Sequence, residues 1–193
     1  MEFLIVRSDE ERAIAFKRLS KANQIGCDTE TGGLDPKTSE LFSVQFSDGS
    51  FNVLVPTSEN VSLGILENLL LDQTITKIFH NSRFDLAFLS NAGFEVRNVF
   101  DTMLAERVLT RGANQSVSLA ETLYRYFAVD LDKSQRKKFG KRWNRIWTDE
   151  LVAYALKDVE FLPRLMNEQI KWMNELNLSA DYEVQINSVL KKC

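Results

Sequence analysis

A chain of 193 residues, 44% hydrophobic and 26% charged, is long enough to bury the core of one soluble globular domain. Its net charge of −3 excludes a wholesale basic protein, and no apolar run approaches the roughly 20 residues that span a bilayer, so no membrane partner is expected. Two cysteines, Cys27 and the terminal Cys193, suggest neither a disulfide framework nor a zinc site, and MEFLIVRSDEE holds too short an apolar run for an export signal. An intracellular, cytoplasmic setting is expected.

In chain order, Phe3 to Val6 reads as a short strand, and Ser8-Asp9-Glu10-Glu11 as a capping box opening a helix with Ala13, Phe16 and Leu19 inward. Ile25 to Thr31 is a strand ending at the turn residues GGLDP. LFSVQFSD and SFNVLVP form a hairpin about Asp48-Gly49. SLGILENLLLD reads as an amphipathic helix with a Ser cap, TITKIFH as a strand, and SRFDLAFLSNAG as a helix stopped at Gly93. VRNVFD, the helix TMLAERVLT, and a capping box at Ser118 to Glu121 before LAETLYRYF follow. A long helical pattern runs from Thr148, with Pro163 expected to kink or divide it. This order predicts an α/β fold: a mixed β-sheet, its first strands antiparallel, flanked by helices, with a helical C-terminal part.

Asp28 and Glu30 raise the chemical question. Alternate residues of a strand share a face, so these two like charges stand side by side and need a positive charge, a shared proton or open water. Two further carboxylates stand out: Asp85, near the start of a helix after a strand, and Asp158, with Tyr154 one helical turn before it. Singly, each has an ordinary reading. Asp85 suits a helix dipole, Asp158 a solvent-facing position, and Tyr154 a core phenol. Together they suit two divalent ions, Mg²⁺ or Mn²⁺, held by oxygen ligands about 3.5–4 Å apart for phosphoryl displacement. Tyr154 would orient the attacking water, since a phenol of pKa about 10 is a poor base at neutral pH.

These residues resemble the DEDD superfamily of 3′→5′ exonucleases, which share an RNase H-like fold. Asp28-Thr29-Glu30 matches the first motif, Asn81 to Asp85 the N-x-x-x-D of the second, and Tyr154 to Asp158 the Y-x-x-x-D of the tyrosine subclass. Ala153 stands where the other subclass has histidine, and the sole histidine, His80, is expected to be structural. Asp132 to Gln135, Trp143 and the segment from Thr148 also resemble RNase D, the Werner-type exonuclease and the proofreading domain of family A DNA polymerases.

The resemblance implies one exonuclease domain over residues 1–193, with catalytic residues Asp28, Glu30, Asp85, Tyr154 and Asp158, the four carboxylates being metal ligands. Helices from about 165 onward would be a link to a polymerase or other replication or repair domain. Thr31, Leu34, Asn81 and Phe84 would contact the terminal nucleotide, Leu34 as a wedge; a turn residue folded back on the core is the other reading of Leu34.

The segment from Lys133 to Arg145 holds seven basic residues and no acid, leaving 17 basic against 27 acidic side chains elsewhere. Lys133, Arg136, Lys137, Lys138, Lys141 and Arg142 suit phosphate contacts, with Phe139 and Trp143 stacking on bases; a solvated loop is the plain alternative. With no room after Asp158 for a further helical domain, DNA is favoured over RNA, and an RNase D-like exoribonuclease is the alternative. An aspartyl-phosphate phosphatase leaves Asp85, Tyr154 and Asp158 unexplained, and a non-catalytic nucleic-acid-binding module would have no use for all four carboxylates.

Overall fold

Six strands form one mixed sheet in the order β1-β4-β3-β2-β5-β6: β1 (Glu2–Ile5), β2 (Gln24–Thr31), β3 (Leu41–Ser47), β4 (Phe51–Pro56), β5 (Thr76–Phe79) and β6 (Val99–Asp101). The computed structural model describes residues 2–57, 62–131, 138–140 and 143–191. β2, β3 and β4 run antiparallel, whereas β1 joins β4, and β5 and β6 extend the sheet beyond β2, in parallel. The helices are α1 (Asp9–Leu19), α2 (Glu67–Leu71), α3 (Ser82–Asn91), α4 (Thr102–Thr110), α5 (Leu119–Phe127), α6 (Asp149–Glu160), α7 (Leu162–Glu175) and α8 (Ser179–Leu190). Among the described residues, none of them is long and apolar enough to cross a membrane.

Local chemistry explains most boundaries. The β3–β4 turn closes on Asp48, whose Oδ1 accepts from the backbone of Ser50 and Phe51 at 2.7 Å each. Gly49 there takes φ 89°, open to glycine at no steric cost. Both halves of the Ser8–Glu11 capping box form. The inward stripe of α1 differs from the expectation: Ala15 and Leu19 are buried with Phe16 beside them, while Ala13 faces solvent. The pair one turn apart, 15 and 19, meets the sheet, and residue 13 lies round the helix from it. No serine caps α2 either. A 3-10 turn (Gly64–Leu66) leads in, with Gly64 at φ 56° and no side-chain cap. Pro163 divides the long C-terminal pattern as expected. It sits in the first turn of α7, where a missing N–H costs nothing.

Two apolar layers result. α1, α2 and α3 cover one face through Val44, Phe46, Val53 and Phe88. On the other, α4, α7 and α8 enclose Ile78, Leu104, Leu165 and Tyr182, while α6 lies across β2, β3 and β4. Gly26 decides how closely α6 approaches: a Cβ there would stand 2.4 Å from the Val159 carbonyl oxygen. Only glycine lets the α6–α7 junction rest directly on β2. The helix carrying Tyr154 and Asp158 is thereby seated over the strand carrying Asp28 and Glu30.

Candidate active site

β2 turns Asp28 and Glu30 to the face under α6, as it does Gly26, and turns Thr29 to the opposite face. One oxygen from each of Asp28, Glu30 and Asp158 lies within 4.8 Å of the others. Asp85, from the first turn of α3, is buried and lines the same cleft, but its Oδ1 accepts from Thr29 Oγ1 at 2.7 Å. Tyr154 completes the lining. The cleft encloses 310 Å³, the small end of the range of about 300–1,000 Å³ usual for ligand pockets.

The electrostatics match that geometry. Burial, then the charges of Asp85, Asp158 and Glu30, hold the Asp28 carboxyl well above the ordinary carboxylate range. Burial raises Asp85 to about 7 against the opposing Thr29 hydrogen bond, with Asp101 adding to the rise. Acids whose ionised forms are this disfavoured require external positive charge to ionise together. Converging carboxylate oxygens are the donor set that hard divalent cations prefer, so the residues present fit such ions.

The start of α3 is held by a residue the sequence reading missed. Asp101, buried at the N-cap of α4, accepts from Met103 N and Leu104 N of its own helix. It also accepts from Asn81 N, Ser82 N and Ser82 Oγ at 2.7–3.1 Å. One carboxylate thus caps two helices and sets the position from which Asp85 projects. The dipeptide Asp101-Thr102 before an apolar-periodic run was the available N-cap signal. Asn81 itself takes φ 77°, a left-handed conformation that asparagine tolerates. His80, expected to be structural, lines the cleft with its ring hydrogen-bonded: Nδ1 meets Thr102 Oγ1 at 2.9 Å, and Nε2–H donates to the Val117 carbonyl at 3.0 Å.

Other expected contacts fall in several places. Leu34 is 79% exposed on the cleft wall, so it does not fold back on the core. Asn81 and Phe84 line the cleft, Phe84 resting on Phe88 at 5.0 Å. Thr31 bonds within its own turn, donating to Gly33 O at 2.8 Å. Lys133, Arg136, Lys137, Lys141 and Arg142 lie outside the described residues. Lys138 is exposed and, with Trp143, lines a separate open groove of 720 Å³.

Phe139 and Trp143, expected to stack on bases, belong to an aromatic cluster. Trp143 meets Phe42, Phe139 and Trp147 at 4.9–5.0 Å, and Phe139 continues to Tyr154 at 6.1 Å. Their rings pack on one another and against the catalytic-side helix, because doing so buries more apolar surface than leaving both faces to solvent. Arg145 ties the same stretch to Glu40 at 2.7 Å.

An RNase H-like mixed sheet whose central strand, α3 and α6 bring four carboxylates and a tyrosine into one cleft is the fold and donor set of the acidic, metal-using nuclease class. The chain belongs to the 3′–5′ exonuclease family, whose profile matches residues 3–171. It is 29% identical over 198 residues to ribonuclease D of Desulfotalea psychrophila, covering 94% of this chain and 51% of that protein. Against DNA polymerase I of Aquifex aeolicus it is 28% identical over 185 residues, 95% of this chain and 30% of that one. The chain therefore spans about half, or less, of the length of these curated relatives. Among solved structures, NrnC of Brucella melitensis with bound Mg²⁺ superposes with a TM-score of 0.83 at 26% identity, covering 98% of this chain and 90% of that one. NrnC has also been solved bound to pGG, with the same TM-score.

Proposed function

We propose that this protein hydrolyses phosphodiester bonds one nucleotide at a time from the 3′ end of single-stranded nucleic acid, releasing nucleoside 5′-monophosphates, with RNA preferred to DNA. The observation that carries the proposal is the convergence of Asp28, Glu30 and Asp158 within 4.8 Å, with Asp85 and Tyr154 on the same cleft.

Each residue has a definite task. Asp28, Glu30 and Asp158 would hold one divalent ion, Mg²⁺ or Mn²⁺, and Asp28 with Asp85 a second. Ions held there supply positive charge to the scissile phosphate and make water a better nucleophile. The Tyr154 hydroxyl aims that water by hydrogen bonding. Thr29 fixes the Asp85 carboxylate, and Asp101 fixes the helix that carries it. Leu34, exposed on the cleft wall, offers an apolar edge to the terminal base, with Phe84 and Asn81 beside it.

Chain length was the reason for expecting DNA, and the relatives weaken it. Coverage of 90% of NrnC, whose structure holds pGG, supports a short 3′ end as ligand. The ribonuclease D likeness supports the ribose sugar.

The test uses 5′-labelled RNA and DNA strands of one sequence, incubated with Mg²⁺, Mn²⁺ or EDTA beside Asp28→Ala. A ladder receding from the 3′ end, faster on RNA and absent in EDTA and in the variant, is expected. Faster DNA cleavage overturns the sugar preference, and activity in EDTA or in Asp28→Ala overturns the metal assignment.

A further inference from the structure

The sheet face beneath α6 is polar where a core face should be apolar. β2 places Gly26, Asp28 and Glu30 there, and their direct partners on β3 are Ser47, Gln45 and Ser43. β4 adds Asn52 opposite Ser47, and the aliphatic residues on this face are Leu54, opposite Gln45, and Ile5 of β1 beside it. Ser43, Gln45, Ser47 and Asn52 are all 0% exposed. α6 lays Val152, Ala155 and Leu156 over this face. Burying hydroxyls and amides under aliphatic side chains is unfavourable unless every polar atom is bonded.

Here the bonding is incomplete in an informative way. Gln45 Nε2 donates to Ser43 Oγ at 2.5 Å. Among the described residues, Gln45 Oε1 is buried with no hydrogen-bond partner. An aliphatic side chain at 45 would spare the fold that orphaned carbonyl, as Leu54 does directly opposite. Folding alone therefore does not account for Gln45.

We propose that Gln45 and Ser43 are positioning residues for Glu30, and through it for the whole carboxylate cluster. A hydroxyl has one hydrogen. Because Ser43 Oγ takes its bond from Gln45, its own hydrogen is released to another acceptor, and Glu30 is its directly opposite neighbour, with Cβ atoms about 4.5–5.5 Å apart in such pairs. The relay Gln45 → Ser43 → Glu30 holds the Glu30 carboxylate in one orientation against repulsion from Asp28 and Asp158. This inference rests on reading the cluster as a divalent-cation site.

Outer partners of this kind typically change metal affinity by about 10–100-fold. The test compares wild type, Gln45→Met, Ser43→Ala and Ser43→Thr. Mn²⁺ binding is measured by calorimetry without substrate, with melting temperature in EDTA and cleavage rate against Mn²⁺ concentration. Gln45→Met and Ser43→Ala should bind Mn²⁺ about tenfold more weakly. They should nevertheless approach wild-type kcat once the ion saturates. Ser43→Thr, which keeps the hydroxyl, should retain affinity. Gln45→Met should melt no lower than wild type, because it removes the orphaned carbonyl; a purely structural Gln45 would melt lower with affinity unchanged. Equal Mn²⁺ affinity in wild type and either folded variant overturns the inference, and Ser43→Ala carries the test should Gln45→Met fail to fold. A wild type that binds no Mn²⁺ overturns the cation-site reading itself, and the relay with it.

Discussion

Gly26→Ala asks whether one missing side chain sets the distance between the two halves of the site. The added Cβ would stand 2.4 Å from the Val159 carbonyl oxygen and 3.1 Å from Leu162 Cβ, whereas ordinary contact begins at 3.4 Å. The nearer obstacle is backbone, so no rotamer change relieves it, and the α6–α7 junction must retreat by about 1 Å. Overpacking of this kind costs about 1–3 kcal/mol. Alanine returns about 0.4–1 kcal/mol of that by restricting the unfolded chain, leaving a net loss on the order of 1–2 kcal/mol. The functional effect should be larger in proportion. Asp158 directly precedes Val159, so the same retreat draws its carboxylate away from Asp28 and Glu30. A misplacement of about 1 Å costs about 100-fold in rate. Urea unfolding in EDTA and single-turnover cleavage with Mn²⁺ measure the two quantities. Gly140→Ala, where a Cβ meets nothing within 4 Å among the described residues, is the control. Unfolding within about 0.5 kcal/mol of wild type together with a rate within about threefold would refute the claim that Gly26 seats α6.

Two further outcomes follow from the site. In EDTA, stability should fall as pH rises from about 4 to about 7. Burial raises Asp85 to about 7, so in that window the folded state keeps a proton that the unfolded chain has released, and Asp28 is shifted in the same direction. Thermal melts between pH 5 and 8 should show a slope that Asp85→Asn flattens; a flat wild-type profile counts against it. Under the proposed mechanism Tyr154→Phe should lower kcat by about 100-fold, with calorimetric Mn²⁺ affinity unchanged, since the phenol is assigned to the water and not to the ion. An unaltered rate removes Tyr154 from the mechanism.

The sequence by itself determined which of the candidate side chains share a face. Alternation along a strand puts Asp28 and Glu30 on one face, a four-residue helical spacing aligns Tyr154 with Asp158, and Asn81 to Asp85 stands at a strand-to-helix turn; each is a local periodicity that chain geometry enforces. Capping at Ser8 and the turn at Asp48-Gly49 were legible for the same reason. Other features depended on partners far along the chain. LFSVQFSD alternates as a strand must, yet alternation cannot say which face another element will cover, and here α6 buries the polar face with Ser43 and Gln45. That Phe139 and Trp143 would meet Phe42, Trp147 and Tyr154 could not be read from their place in a basic segment. Thr29 was only the residue between two acids until α3 brought Asp85 to its hydroxyl. Spacing decides which side chains share a face; what covers that face, and how closely, is decided by packing between segments distant in sequence, and at Gly26 by the absence of a single carbon.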